Sequence, residues 1–142
     1  MDNTISVLLV EDNPGDARLI QEALSEITSP HVQITHAERL DEASQQLQQR
    51  RFDVVLLDLK LPDGSRTETI GRIRDYADDT PIVVLTGLDD EVVALWAAQE
   101  GAQDYLVKGR VDSDQLLTSM RYAIEAQARQ REQMHSAPSY GP

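Results

Sequence analysis

Apolar positions along the chain fall into short continuous runs, separated by stretches in which they recur every three or four residues. Four runs read as buried strands: Ile5 to Val10, Val54 to Leu57, Ile82 to Leu85 and the shorter Tyr105 to Val107. Val32 to Thr35 predicts a weaker fifth, with Val32 and Ile34 alternating against polar neighbours. Runs this apolar suit strands covered on both faces, as in a parallel sheet. Between them, Ala17, Ile20, Leu24 and Ile27 follow helical spacing. So do Leu40, Ala43 and Leu47, then Ile70, Ile73 and Ala77, and finally Leu117, Met120 and Ile124.

Polar punctuation agrees with these elements. Asn13 before Pro14 makes an N-cap with proline at the first helical position, and Asp16 suits the positive end of that helix. Ser65-Arg66-Thr67-Glu68 has capping-box spacing, and Asp112 or Ser113 can cap the last helix. Gly101 falls just past the fourth helix, where a left-handed residue closes the final turn. Strand and helix in alternation predict right-handed crossovers and an open, doubly wound α/β sheet. Ligands of such sheets bind beyond the carboxyl ends of the strands, near the point where the strand order reverses.

Length and composition narrow the picture. The 142 residues fit one core. Residues 1–125 are expected to form the domain. The stretch 126–142 is expected to prolong the last helix and end in a disordered tail, Ser-Ala-Pro-Ser-Tyr-Gly-Pro. No cysteine is present, which excludes disulfides, thiolate metal sites and cysteine nucleophiles. No apolar run reaches bilayer length and the amino terminus lacks a signal-peptide pattern, so a cytoplasmic protein without a membrane partner is expected. A net charge of -12, from 25 acidic and 13 basic residues, repels phosphate backbones and argues against direct DNA binding.

Candidate chemistry collects at the strand ends. The first strand ends in Glu11-Asp12, the third runs into Asp58, the fourth ends in Thr86-Gly87 and the fifth in Lys108. In a parallel sheet these groups converge on one edge. Three crowded carboxylates repel one another, and a hard divalent cation relieves that repulsion. Mg²⁺ suits oxygen ligands of this kind. A carboxylate, a cation, a lysine and a hydroxyl form a phosphoryl-transfer site. In such a site Asp58 would be the nucleophile, Lys108 would neutralise phosphoryl charge, Thr86 would hydrogen-bond a phosphoryl oxygen, and Gly87 would offer room and a backbone N–H. Taken singly, each residue reads better as a cap, a turn or a solvated side chain. Four strand ends carrying complementary groups at once do not.

With these residues in view, the chain resembles the receiver domains of two-component response regulators over about residues 5 to 125. Leu8-Leu9-Val10-Glu11-Asp12-Asn13 is similar to the family's first strand and acidic pair. The run from Val54 to Gly64 is similar to its phosphoacceptor strand and Pro-x-Gly turn, and Pro81 to Gly87 to the strand bearing the switch hydroxyl. Gly101 to Lys108 is similar to the segment with the switch aromatic and the family lysine. The resemblance implies a flavodoxin-like (βα)5 fold with strand order 2-1-3-4-5. It also implies a phosphorelay switch rather than an enzyme acting on other molecules. Mg²⁺ would be held by Asp12, Asp58, Glu11 and the carbonyl of Lys60. The phosphoryl group would be held by Lys108, Thr86 and the N–H groups of Leu59 and Gly87. Thr86 and Tyr105 would carry the switch, although a half-buried strand tyrosine taken alone reads as a packing residue. The implied partners are a sensor histidine kinase or phosphotransfer protein and a downstream protein target. A homodimer through the fourth-helix, fifth-strand and fifth-helix face is also implied. Asn13 to Ile20 is similar to a branch of small receivers, some of them partners of phytochrome-type kinases.

The sequence departs from the family pattern in three places. Gly109 follows Lys108 where receivers usually carry a cis proline. A cis bond before glycine costs about 2.5–4 kcal/mol, so a trans bond or a reshaped loop is expected. Lys60 and Leu88 stand two residues beyond Asp58 and Thr86, where a hydrolytic water would approach, and predict slow self-dephosphorylation. No output domain is expected in the short stretch after residue 125. A stand-alone receiver and a trimmed piece of a longer protein both fit, and the terminal sequence favours a natural end.

Three other functions fit less well. A phosphate-independent interaction module draws support only from the Lys108-Gly109 junction. An aspartate-dependent phosphohydrolase usually carries a second acid where Lys60 stands. A dinucleotide enzyme would need a glycine-rich loop in place of Glu-Asp-Asn-Pro-Gly. His31, His36 and His135 form no ligand pattern and read as surface residues. Trp96 fits either the core or the signalling face.

Overall fold

Every predicted run becomes a strand and every predicted helix forms. The computed structural model describes residues 4–62, 66–77, 79–87 and 91–136. In chain order it contains β1 (Thr4–Val10), α1 (Pro14–Ser25), β2 (His31–Ala37), α2 (Leu40–Gln49), β3 (Val54–Asp58) and α3 (Arg66–Tyr76). There follow β4 (Ile82–Thr86), α4 (Glu91–Gln99), β5 (Asp104–Val107), a 3₁₀ turn (Lys108–Arg110) and α5 (Ser113–Ser136). The strands form one parallel sheet in the order β2-β1-β3-β4-β5, the flavodoxin-like arrangement. Ser65 of the expected capping box, the Asp63-Gly64 turn, Leu88 and the tail from 137 lie outside the described residues.

Alternation along the strands splits the core in two. Leu8, Val10, Val55, Leu57 and Val84 face α2, α3 and α4, with Leu40, Ile70, Ile73 and Val93 closing that layer. Val7, Leu9, Leu56, Val83 and Leu85 face α1 and α5, against Ile20, Leu24, Leu116 and Met120. β3 and β4 are buried at every position and β1 from Val7 to Val10, which explains the apolar sequence of these stretches. β2 is an edge strand and keeps polar residues on its open side. It extends one residue before and two beyond the expected Val32 to Thr35 because its seven pairs with β1, not its own periodicity, set its length. Trp96 and Tyr105 both pack in part against the first layer.

The caps account for where the helices start and stop. The Asn13 side chain accepts the Asp16 N–H at 3.0 Å. Of the two candidates for α5, Asp112 is the cap: its Oδ1 accepts from the Gln115 N–H at 2.9 Å, and Gln115 Oε1 accepts from the Asp112 N–H at 3.0 Å. After α4, the Ala102 N–H donates to the Ala97 carbonyl and the Gly101 N–H to the Ala98 carbonyl, both at 3.0 Å. This is a Schellman closure with Gly101 at φ +101°.

At the amino edge of the sheet, Arg74 donates to the carbonyls of Thr80 (2.6 Å) and Gly101 (2.5 Å). Gln103 links the Ile82 N–H (2.8 Å) to Gln127 Oε1 on α5 (2.6 Å). The last helix is therefore fastened to the body as far as Gln127, and it continues to Ser136.

Gly101→Ala is expected to lower stability by roughly 1–3 kcal/mol, because its positive φ strains any residue with a Cβ. Urea unfolding measures the loss, and a neutral result would contradict the closure described.

Candidate functional site at the carboxyl edge of the sheet

Strand register alone brings the polar ends together. Val10 pairs with Leu57, so Glu11 follows beside Asp58. Asp58 pairs with Leu85 and Thr86 with Val107, which sets Thr86 and then Lys108 one step further along the edge. The result is a cleft floored by β1 and β3, at the point where the strand order reverses.

One carboxylate oxygen from each of Glu11, Asp12 and Asp58 lies within 4.8 Å of the others. Glu11 and Asp58 are buried, while Asp12 is exposed. The Lys108 ammonium donates to Glu11 Oε1 at 2.7 Å and to Asp16 Oδ2 at 2.9 Å, and stands 3.5 Å from Asp58 Oδ2. The other Asp58 oxygen accepts the Lys60 N–H at 3.0 Å. Glu11 Oε2 accepts the Asn13 N–H at 3.3 Å.

Lys108 reaches these partners through a trans peptide to Gly109, as the glycine led one to expect, and the chain turns through 3₁₀ geometry into α5. The backbone here supplies the bend that a cis proline would otherwise supply. Thr86 is buried on the rim and Leu59 lies buried behind Asp58, while the Lys60 side chain is exposed. A Cβ on Gly87 would meet nothing within 4 Å, so the space beside Thr86 is open whether or not a glycine stands there. Tyr105 is half-buried on β5.

Two neighbours of the site were not legible as such. Asp16 reads as an ordinary first-turn acid, yet it contacts Lys108. The signal was available: a helix that starts at Pro14, directly after the acidic end of β1, hangs its third residue over the strand ends. His36 reads as a surface residue, but it is half-buried, with Nε2 2.7 Å from the Glu11 carbonyl oxygen. It ties the edge strand to the acidic pair.

Burial pushes Glu11 up from 4.5 to about 7, and the hydrogen bond with Asp58 adds to the rise, while Lys108 opposes it. Burial by itself would lower Lys108, but its hydrogen bonds to Glu11 and Asp16 outweigh that and raise it. The cleft is therefore one positive charge among four carboxyl groups, one of them resisting ionisation.

A doubly wound sheet with an acid cluster and a lysine at its carboxyl edge defines a receiver-type α/β domain. The sequence model of the response regulator receiver domain matches residues 7–121, and the chain belongs to that family. It is 36% identical over 129 residues to the methanogenesis regulatory protein FilR1 of Methanothrix harundinacea, covering 89% of this chain and 28% of FilR1. The acid tolerance regulatory protein ActR of Rhizobium meliloti is 35% identical over 115 residues, covering 81% of this chain and 57% of ActR. The chain thus spans less than two thirds of either relative. Among solved structures, the signal receiver domain of an HD domain-containing protein from Pseudomonas fluorescens Pf-5 superposes with a TM-score of 0.77 at 28% identity. That match covers 93% of this chain and 95% of the other. The phosphorylated cyanobacterial phytochrome response regulator RcpA superposes at 0.66 with 27% identity, covering 96% and 97%. Receivers of this family are signalling switches of two-component systems. Among the described residues no helix is long and apolar enough to cross a membrane.

The Glu11 shift has a definite sign. The folded state binds this proton more tightly than the unfolded chain does. Its contribution is complete below about pH 4.5 and is lost as pH rises through about 7. In metal-free buffer, Glu11→Gln should gain stability relative to the natural protein between pH 5 and pH 7.5, by up to about 3 kcal/mol. Urea midpoints of the two proteins that stay parallel across this range would contradict the upward shift of Glu11.

Proposed function

We propose that this chain is a phosphorelay receiver that accepts a phosphoryl group on Asp58 and signals through protein contacts. The observation that carries the reading is the placement of the Lys108 ammonium 3.5 Å from the Asp58 carboxylate, inside a cluster of three acidic groups. Such a cluster fits Mg²⁺: the oxygens are close, two of the three carboxyl groups are buried, and Glu11 resists ionisation even with Lys108 beside it. Asp12, Asp58, Glu11 and the Lys60 carbonyl would hold the ion. When bound, Mg²⁺ offsets the carboxylate charge and that of the incoming phosphoryl oxygens.

The chain's own residues do the rest. A carboxylate oxygen of Asp58 attacks phosphorus, forming an acyl phosphate. The phosphorus–nitrogen bond to the donor imidazole breaks, with its electron pair returning to the ring. Lys108 moves to a phosphoryl oxygen, Thr86 donates its hydroxyl to another, and the N–H groups of Leu59 and Gly87 complete the cradle. Drawing Thr86 inward vacates space on β4, and Tyr105 turns into it. This changes the α4-β5-α5 surface, a two-state element biased by charge-assisted hydrogen bonds.

Receiver domains interact with histidine kinases or phosphotransfer proteins, and one of these is the proposed donor here. The likeness to RcpA supports a kinase of phytochrome type. The downstream partner is a protein met on the α4-β5-α5 surface. A homodimer through the same surface is part of this reading, with Leu95 on α4 and Tyr122 on α5 as its exposed apolar side chains. The net charge of -12 argues against direct contact with DNA, and the reading places the protein in the cytoplasm.

Intact mass after incubation with acetyl phosphate and Mg²⁺ tests the acceptor. One phosphoryl adduct is expected on the natural protein and none on Asp58→Asn. An unmodified natural protein, folded and with Mg²⁺ present, would favour an interaction module that does not use phosphate. The adduct should also persist for minutes or longer after acetyl phosphate is removed, since Lys60 offers no group to activate water. A half-life of seconds would refute that part.

A further inference from the structure

The Lys108 ammonium has more acceptors than phosphoryl transfer needs. Besides Glu11 and Asp58, it donates to Asp16 at 2.9 Å. Asp16 is not on a strand. It sits on the first turn of α1, fixed by its own N–H bond to the Asn13 cap, with the side chain 38% exposed beside a Lys108 that is 14% exposed. The cap and Pro14 pin the helix start, so the carboxylate has a set place above the cleft. Asp16 holds the ammonium in a hydrogen bond, whereas Asp58 shares it only as an ion pair at 3.5 Å.

We propose that Asp16 is a positioning residue that parks Lys108 in the unphosphorylated state, so that phosphorylation must draw the ammonium off it. This rests on the receiver chemistry proposed above. Ligation of Mg²⁺ by Glu11 and Asp58 would commit those two carboxylates to the ion and leave Asp16 as the remaining partner for the ammonium. Loading a phosphoryl group then exchanges one charge-assisted hydrogen bond for another. Asp16 therefore weakens the phosphoryl-bound state relative to the resting one and sets how strong a donor is needed to switch the protein.

The test uses the full chain, Mg²⁺ and beryllofluoride as the phosphoryl mimic, read by calorimetry on the natural protein and on Asp16→Asn. Releasing the ammonium should tighten beryllofluoride binding by about fivefold or more, as expected for a partly buried ion pair. A rise in melting temperature with Mg²⁺ alone, in both proteins, shows that the variant keeps a folded pocket. Asp16→Ser is a second form of the same deletion. The ¹⁵Nζ resonance of Lys108, assigned by its loss in Lys108→Gln, supplies a readout that a merely structural role would not move. In metal-free protein its ammonium protons should exchange faster with water once Asp16 is replaced. Equal or weaker beryllofluoride binding by Asp16→Asn would overturn the proposal and leave the receiver reading intact. Tighter binding with an unchanged Lys108 resonance would also overturn it, since the gain would then be general charge relief. A natural protein that responds to neither Mg²⁺ nor beryllofluoride would remove the receiver reading and the parking role with it.

Discussion

Two buried carboxyl groups at the ends of β1 and β3 resist desolvation and repel each other, and Lys108 is the charge that makes their proximity tolerable. It lies between Glu11, Asp16 and Asp58. The arrangement is under strain of an electrostatic kind, visible in the raised Glu11. A stable core would not choose it, because apolar residues at the same places would cost less. The sheet absorbs that cost through the double burial of β1, β3 and β4, which supply the bulk of the core. Function is thus set against stability at one edge and supported by everything beneath it.

Most of the fold could be read from the sequence because its central strands are apolar on both faces and its helices carry recognisable caps. Asn13-Pro14, Asp112 and Gly101 each mark a boundary through backbone chemistry that leaves little choice. β2 was harder. It lies on the edge, keeps polar side chains toward solvent and takes its length from pairing with β1, so its own pattern understates it. Trp96 was undecided between core and surface because α4 is apolar nearly all round, so its pattern does not reveal which face turns inward. In the fold it packs on the α2-α3-α4 layer.

The candidate site was legible in its strand-borne part and not beyond it. Glu11, Asp12, Asp58, Thr86 and Lys108 are strand-end residues, and parallel register makes their meeting predictable from order alone. Asp16 and His36 reach the same place from a helix turn and an edge strand. Their approach depends on side-chain direction, which linear spacing does not encode. The Lys108-Gly109 junction marks the boundary between the two cases. The missing proline was plain in the sequence, but only the 3₁₀ turn shows that a trans backbone still aims the lysine into the cleft.

Lys108 and Glu11 are 97 residues apart in the chain yet in direct contact. That separation gives the acid cluster a built-in dependence on completed folding. During synthesis, β1 and β3 emerge long before β5, and Asp58 is present well ahead of the ammonium beside it. The ammonium that neutralises the carboxyl groups is therefore delivered only when the last strand and the turn after it are in place. Charge pairing thus runs across nearly the full length of the domain, and the cleft is complete only once the last strand is in place.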